Sequence, residues 1–320
     1  MQKVAIIGAG AVGSYYGARL VEVGHNVAFL VRRDYENLKK NGLIVQSVDG
    51  DIYIEKPNVY KNSNEIGSVD WVICALKSTS IDSAEELIKP CINKNTKILV
   101  LMNGIGLEEK IQTWFPNNNI FGGLAFTCIN RSSTGVVEHL DYGAIVIGHL
   151  GDKQSEIDDA LSLWEKTKVT VTSKPSLRLA RWEKLCWNIP FNGLTVASGG
   201  VSTEVIIEDV NLRHTAKILM EEIINTANAD LNHIQSEYKL DIQTTTTSMI
   251  RRTSEMKAYL PSTTIDFLAG KEMEVSTIFE TPLEIAKKFN ISTPLLELLT
   301  GQMRSLNNIN KITHKYAKNS

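Results

Sequence analysis

Residues 4–20 read VAIIGAGAVGSYYGARL, a short apolar run that breaks into glycines and resumes at helical spacing. Val4, Ala5, Ile6 and Ile7 offer no polar face, the pattern of a strand covered on both sides, as in a parallel sheet between helices. Val12, Tyr15, Tyr16, Ala18 and Leu20 then predict a helix that stops near Gly24. Glycines between a strand and a helix, inside a unit of about 30 residues, form the fingerprint that seats a dinucleotide. Gly8 allows the sharp turn, Gly10 lets a ligand approach the backbone, and Gly13 lets helix and strand pack closely. Ala9, Ala11 and Val12 complete the loop, and the amides at the helix start supply positive charge for a pyrophosphate.

The end of the second strand decides which dinucleotide fits. That strand is predicted at 27–31, and an acid there would accept hydrogen bonds from a ribose. The chain instead reads LVRRDYENL, with Arg32 and Arg33 at the corner. A guanidinium fork suits a 2′-phosphate, so NADP is favoured, with Arg32 as its ligand. Asp34 comes one or two residues late for a ribose acid and keeps NAD as a minority case.

Short apolar runs and helical patterns alternate through the first half, which predicts an α/β fold with a doubly wound sheet. Residues 43–47 and 51–56 flank an Asp49-Gly50 turn and predict a hairpin. Further strands are expected at 71–76, 98–102, 119–126, 135–140, 143–148 and 169–173, with helices around 83–88 and 154–167. From about residue 175 the pattern is helical. Leu212, Ala216, Leu219, Ile223 and Ala227, for instance, form one apolar stripe that requires a partner. The expected domains are therefore 1–174, binding the dinucleotide, and 175–320, all-helical, with a basic tail at 311–320 that frays.

With 320 residues, 43% of them hydrophobic and 22% charged, the chain can build two ordinary cores. A formal net charge of -2 without single-sign blocks gives no reason to expect nucleic acid or a membrane as partner. No apolar run is long enough to span a bilayer, and a cytoplasmic location is expected. Cys74, Cys91, Cys128 and Cys186 stand far apart, without zinc-ligand spacing, so free thiols and no metal site are expected.

Reduction of a carbonyl requires a proton donor for the developing alkoxide. In RWEKLCWNIPFNGLT, Lys184, Asn188 and Asn192 lie at i, i+4 and i+8, a polar strip along one side of a helix. Pro190 is expected to kink or end that helix near Asn192.

GAGAVG with Arg32, ALKS at 75–78, MNGIG at 102–106, EKLCWNIPFNGLT and TTIDFLAG at 263–270 occur in an order that resembles the ketopantoate reductase family along nearly the whole chain. The resemblance implies a Rossmann domain joined to a helical one, with NADPH reducing a 2-oxo acid in the cleft between them. It implies ketopantoate (2-dehydropantoate) as substrate and a place in pantothenate and coenzyme A biosynthesis. By the same resemblance, Lys184 is the general acid, and Asn103 contacts the cofactor and steadies that lysine. Lys77 lies near the cofactor, while Asn188, Asn192 and Ser254 bind substrate. A homodimer is also open.

One departure stands out. The family's TEID motif aligns here with TTID, so Thr264 takes the place of a glutamate at the substrate site. A site without that carboxylate loses discrimination for a substrate hydroxyl. The rivals are then a D-2-hydroxyacid dehydrogenase acting on branched or aromatic 2-oxo acids, and a non-catalytic NADPH-binding sensor. Ser254, Thr264 and Glu255 are the candidates to replace the missing group.

Overall fold

The computed structural model describes residues 1–133 and 136–317, which divide into two compact units. The first comprises residues 1–102 and 107–177; the second comprises 103–106 and 178–320.

The first unit holds strands β1 (Lys3–Ile7), β2 (Asn26–Leu30), β3 (Leu43–Ser47), β4 (Ile52–Ile54), β5 (Asn58–Tyr60), β6 (Trp71–Cys74), β7 (Lys97–Val100), β8 (Ile120–Ser133), β9 (Val136–His149) and β10 (Val171–Ser173). Its helices are α1 (Ala11–Glu22), α2 (Tyr35–Asn41), α3 (Ala84–Ile88), α4 (Leu107–Trp114) and α5 (Gln154–Ser162). The strands form one sheet in the order β4-β3-β9-β8-β7-β6-β1-β2-β5, with β10 beside β9. From β5 to β8 every pairing is parallel. Alternate residues of β1 feed opposite faces. Val4 and Ile6 join the core that buries Tyr15, Tyr16 and Leu20 of α1, whereas Ala5 and Ile7 join the core containing Ala84, Ile88 and Ile111. Both faces are covered, as the unbroken apolar strand requires. β1 lies between β2 and β6, so the strand order reverses there, and in open α/β sheets that reversal opens a crevice beyond the carboxyl ends of the strands.

Two expected strands prove to be one. The strands expected at 135–140 and 143–148 leave a break at Asp141-Tyr142, but β9 continues through it with Tyr142 at φ 63° and Gly143 at φ 115°. The register against β8 shifts between Phe126 and Thr127, so the irregularity is a bulge in a long antiparallel pair. Gly135, where the first of those strands was expected to begin, lies outside the described residues. The helix expected at 154–167 ends at Ser162.

The second unit is helical: α6 (Leu177–Ala197), α7 (Thr203–Glu208), α8 (Val210–His233), α9 (Ile242–Glu255), α10 (Ser262–Leu268), α11 (Thr281–Lys288) and α12 (Pro294–Ala317), with a π-helical turn at Ser276–Glu280. Pro190 does not end α6. Its neighbours Ile189 and Phe191 are fully buried, and packing on both sides outweighs the roughly 3 kcal/mol that an interior proline costs. The stripe on α8 is buried as its spacing requires, with Leu212 at the partly buried margin. Glu222 on the same helix accepts the amides of Leu295 and Leu296, capping α12. The tail expected to fray continues α12 to Ala317, and residues 318–320 lie outside the described part. Among the described residues no helix is long and apolar enough to cross a membrane. Cys74, Cys91 and Cys186 are buried free thiols, and Cys128 is half-buried.

Candidate functional site

In the first unit the glycine loop sits at the carboxyl end of β1. Gly8 has φ +95°, and a Cβ there would lie 2.8 Å from the Leu76 amide and 2.9 Å from the Ala75 carbonyl. Backbone cannot yield, so only glycine fits. A Cβ on Gly13 would collide with the Gly8 carbonyl and approach Ile6 Cγ2 at 2.9 Å, which is how α1 comes to lie against β1. Gly10 differs: nothing stands within 4 Å of where its Cβ would be. It opens α1 with no side-chain cap, and the first hydrogen bond across the loop's end is Ser14 N to Gly10 O at 3.0 Å. The amides of Ala11, Val12 and Gly13 belong to the first turn, where no carbonyl of the helix can accept them, and with the open space at Gly10 this positive helix end is a cradle that fits a diphosphate.

Around that cradle, Arg32 and Arg33 are exposed after β2, and Lys77 is exposed after β6. Ala9 donates its amide to Leu30 O at 3.3 Å and accepts Arg131 Nη1 through its carbonyl at 3.3 Å. Asp34 pairs with the same Arg131 nitrogen at 2.6 Å.

In the second unit Lys184, on α6, donates from Nζ to Asn103 Oδ1 at 3.0 Å. Asn103 Nδ2 in turn donates to Glu274 Oε2 at 3.4 Å. An ammonium only donates and a carboxylate only accepts, so these neighbours fix which end of the Asn103 amide faces which. The Asn103 loop is held from behind: Thr277 Oγ1 donates to Asn103 O at 3.1 Å, and Ile105 N donates to Thr277 O at 3.2 Å. Desolvation, then the nearby Arg181 guanidinium, bring the Lys184 pKa from 10.5 down to about 7, while the Glu274 carboxylate works against them. The amine is thus poised to hold or release a proton near neutrality.

Asn188, one turn on, is buried. Asn192 is buried too; its Nδ2 donates to Thr263 Oγ1 at 3.0 Å, and its Oδ1 has no partner among the described residues. The structure does not bring the other two expected substrate residues to Lys184. Thr264 is fully buried with its hydroxyl engaged by Thr195 at 2.7 Å. Ser254 is exposed and turns its hydroxyl back onto Arg251 O. Its neighbour Thr253 is the buried one, accepting Trp187 Nε1 at 2.9 Å. Glu255 is exposed as well.

A carboxylate does act on Lys184, but it is that of Glu274 and not a group at position 264. Met273-Glu274-Val275-Ser276 places a glutamate before a branched aliphatic and a short polar residue, as TEID does, so the signal was present. TTID matches that motif at three of its four positions and lacks only the glutamate. Arg131 gave no such signal, because only the passage of β8 along α1 carries it to the glycine loop.

Family models match two stretches of the chain: "Ketopantoate reductase PanE/ApbA" over residues 4–152 and "Ketopantoate reductase PanE/ApbA C terminal" over residues 176–307. A 2-dehydropantoate 2-reductase of Nostoc sp. is 34% identical over 97% of both chains. The solved 2-dehydropantoate 2-reductase of Geobacter metallireducens is 36% identical with a TM-score of 0.89, covering 95% of this chain and 99% of its own. A D-mandelate dehydrogenase solved with NADH and anilino(oxo)acetate shares the fold at 21% identity, with a TM-score of 0.87 and coverage of 97% and 99%.

Proposed function

Because the chain belongs to the ketopantoate reductase family of oxidoreductases, we propose that it reduces 2-dehydropantoate to (R)-pantoate with NADPH, a step toward pantothenate and coenzyme A. In this reading residues 1–174 bind NADP and residues 175–320 bind substrate. NADPH supplies the hydride. The observation that carries the reading is the Lys184–Asn103–Glu274 chain, with the lysine pKa at about 7.

The chemistry follows from those groups. Protonated Lys184 polarises the keto oxygen and gives it a proton as the alkoxide develops. Asn103 holds the amine in place by accepting one of its hydrogens, and Glu274 holds Asn103. The Glu274 carboxylate also favours the ammonium, so the proton is still present near neutral pH. On the same helix Asn188 is a polar group available to the substrate, and Asn192 Oδ1, without a partner among the described residues, is an acceptor for the substrate's hydroxyl. A buried acidic acceptor beside the lysine favours a 2-oxo acid that carries a hydroxyl, as ketopantoate does. The cradle at Gly10 fits the diphosphate, and Arg32 and Lys77 fit the remaining phosphate charge.

NADPH absorbance followed with ketopantoate, 2-oxoisovalerate and phenylpyruvate tests the assignment. The expected result is a kcat/KM for ketopantoate at least about 100-fold above the other two. A preference for phenylpyruvate would make the protein a D-2-hydroxyacid dehydrogenase. NADPH binding without turnover of any of the three would make it a sensor.

A further inference from the structure

The corner after β2 contains both the cations that welcome a 2′-phosphate and an acid that would repel it. Arg32 and Arg33 are exposed, whereas Asp34 is about four-fifths buried, with its side chain 21% exposed. Asp34 stands at the N-cap of α2, where a carboxylate would ordinarily take the amides of the first turn. It makes no such bond. Its Oδ2 instead meets Arg131 Nη1 at 2.6 Å, on a side chain only 20% exposed. That nitrogen also reaches Ala9 O at 3.3 Å, and Ala9 N returns to Leu30 O at 3.3 Å, which closes a circuit from the glycine loop to the end of β2 through Arg131.

We infer that Arg131 is a positioning residue for cofactor choice: by holding Asp34 it withdraws the corner's acid, so that a dinucleotide with a 2′-phosphate is accepted there. The inference rests on the proposed NADP reading and concerns selectivity within it. A carboxylate at the end of the second strand normally pairs with a free ribose 2′-hydroxyl and opposes a phosphate in the same place. Paired with a guanidinium it does neither, and Arg32 is left to meet the phosphate. The pair is partly screened from solvent, so it is weakened less by salt than a surface pair. Among the described residues Arg131 Nε and Nη2 are buried without partners, and the contacts that hold the guanidinium at this place are those to Asp34 and Ala9. Removing Arg131 would free Asp34 to turn toward the ribose position and toward the amides of α2.

Dissociation constants for NADPH and NADH, measured by quenching of protein fluorescence and checked by thermal shift with each nucleotide, test this without any turnover. Arg131→Met is expected to weaken NADPH by about tenfold or more while NADH binds as well or better. Adding Asp34→Asn to that variant is expected to restore NADPH binding to within about threefold of the parent protein, since the repelling charge is gone. Failure of that rescue would mean that Arg131 grips the phosphate itself, and would overturn the inference. So would an unchanged NADPH-to-NADH ratio in Arg131→Met. Asp34→Asn alone keeps or raises the ratio, and a fall would count against the proposal even if Arg131→Met did not fold. Parent protein that binds NADH more tightly than NADPH would overturn the NADP reading, a result distinct from a parent that prefers NADPH and a variant that still does.

Discussion

Two loops follow apolar strands of this chain, each with a glycine in left-handed conformation: Gly8 after β1, at φ +95°, and Gly104 after β7, at φ +105°. Around Gly8 the chain is packed from below and open above, since Gly10 has nothing within 4 Å of a Cβ position and the start of α1 is uncapped. Gly104 itself is buried. A Cβ there would collide with the Thr277 side chain and come within 2.6 Å of its carbonyl. The first loop presents main-chain amides; the second is pressed onto the π-helical turn so that one side chain, Asn103, stands at a fixed place beside Lys184. The same local conformation thus serves to bind with backbone in one unit and to position a side chain in the other. What each loop faces decides between the two uses.

Lys184→Ala should break the second region most severely, lowering kcat by about 10²–10⁴, the scale of a lost proton donor, with NADPH affinity little changed. Steady-state kinetics with a parallel nucleotide titration checks both halves; a variant with unchanged kcat would remove Lys184 from the chemistry. Gly8→Ala and Gly104→Ala should each cost about 2–4 kcal/mol of stability, because both need a positive φ and both meet atoms that cannot move far. Denaturant unfolding of the two variants measures this, and a cost within about 0.5 kcal/mol at Gly104 would show that the Asn103 loop is not held as described. Gly10→Ala sharpens the contrast. Its added methyl meets open space, so stability should stay within about 1 kcal/mol of the parent while the Kd for NADPH rises roughly tenfold.

The smallest effect is a displacement in pH. With Lys184 near 7, the donating ammonium is present below that pH and lost above it, so kcat/KM for reduction should fall as pH rises through about 7. Glu274 favours the charged form, and Glu274→Gln should therefore move this fall to lower pH. A pH profile of the variant that lies at or above the parent's would contradict the electrostatic role given to Glu274.

Several of these groups were legible in the sequence. Helical spacing puts Lys184, Asn188 and Asn192 on one polar strip, while their roles came from the family resemblance, and the glycines follow from a strand, a turn and a helix read in order. Glu274 was legible in principle, but TTID offered a competing match, and no periodicity rule ranks one short motif above another. Only the observed hydrogen bond through Asn103 separates them. The exposure of Ser254 is not legible for a simpler reason: on α9 a shift of one residue turns a side chain by about 100°, which separates buried Thr253 from exposed Ser254. The Pro190 expectation failed because propensity describes a helix alone, and α6 is packed through its apolar residues.

By itself the sequence determined the local chemistry of this protein: a glycine turn that only glycine can make, strands apolar enough to demand cover on both faces, and a lysine in register with two amides. These are short-range matters of sterics and periodicity. Tertiary structure alone decided which distant groups complete each site, bringing Glu274 to Asn103, Thr277 to the same loop, and Arg131 to Asp34 and Ala9. Such pairings, and the lowered pKa at Lys184 that depends on its surroundings, arise from packing between segments far apart in the chain, where no local pattern records which partner will arrive.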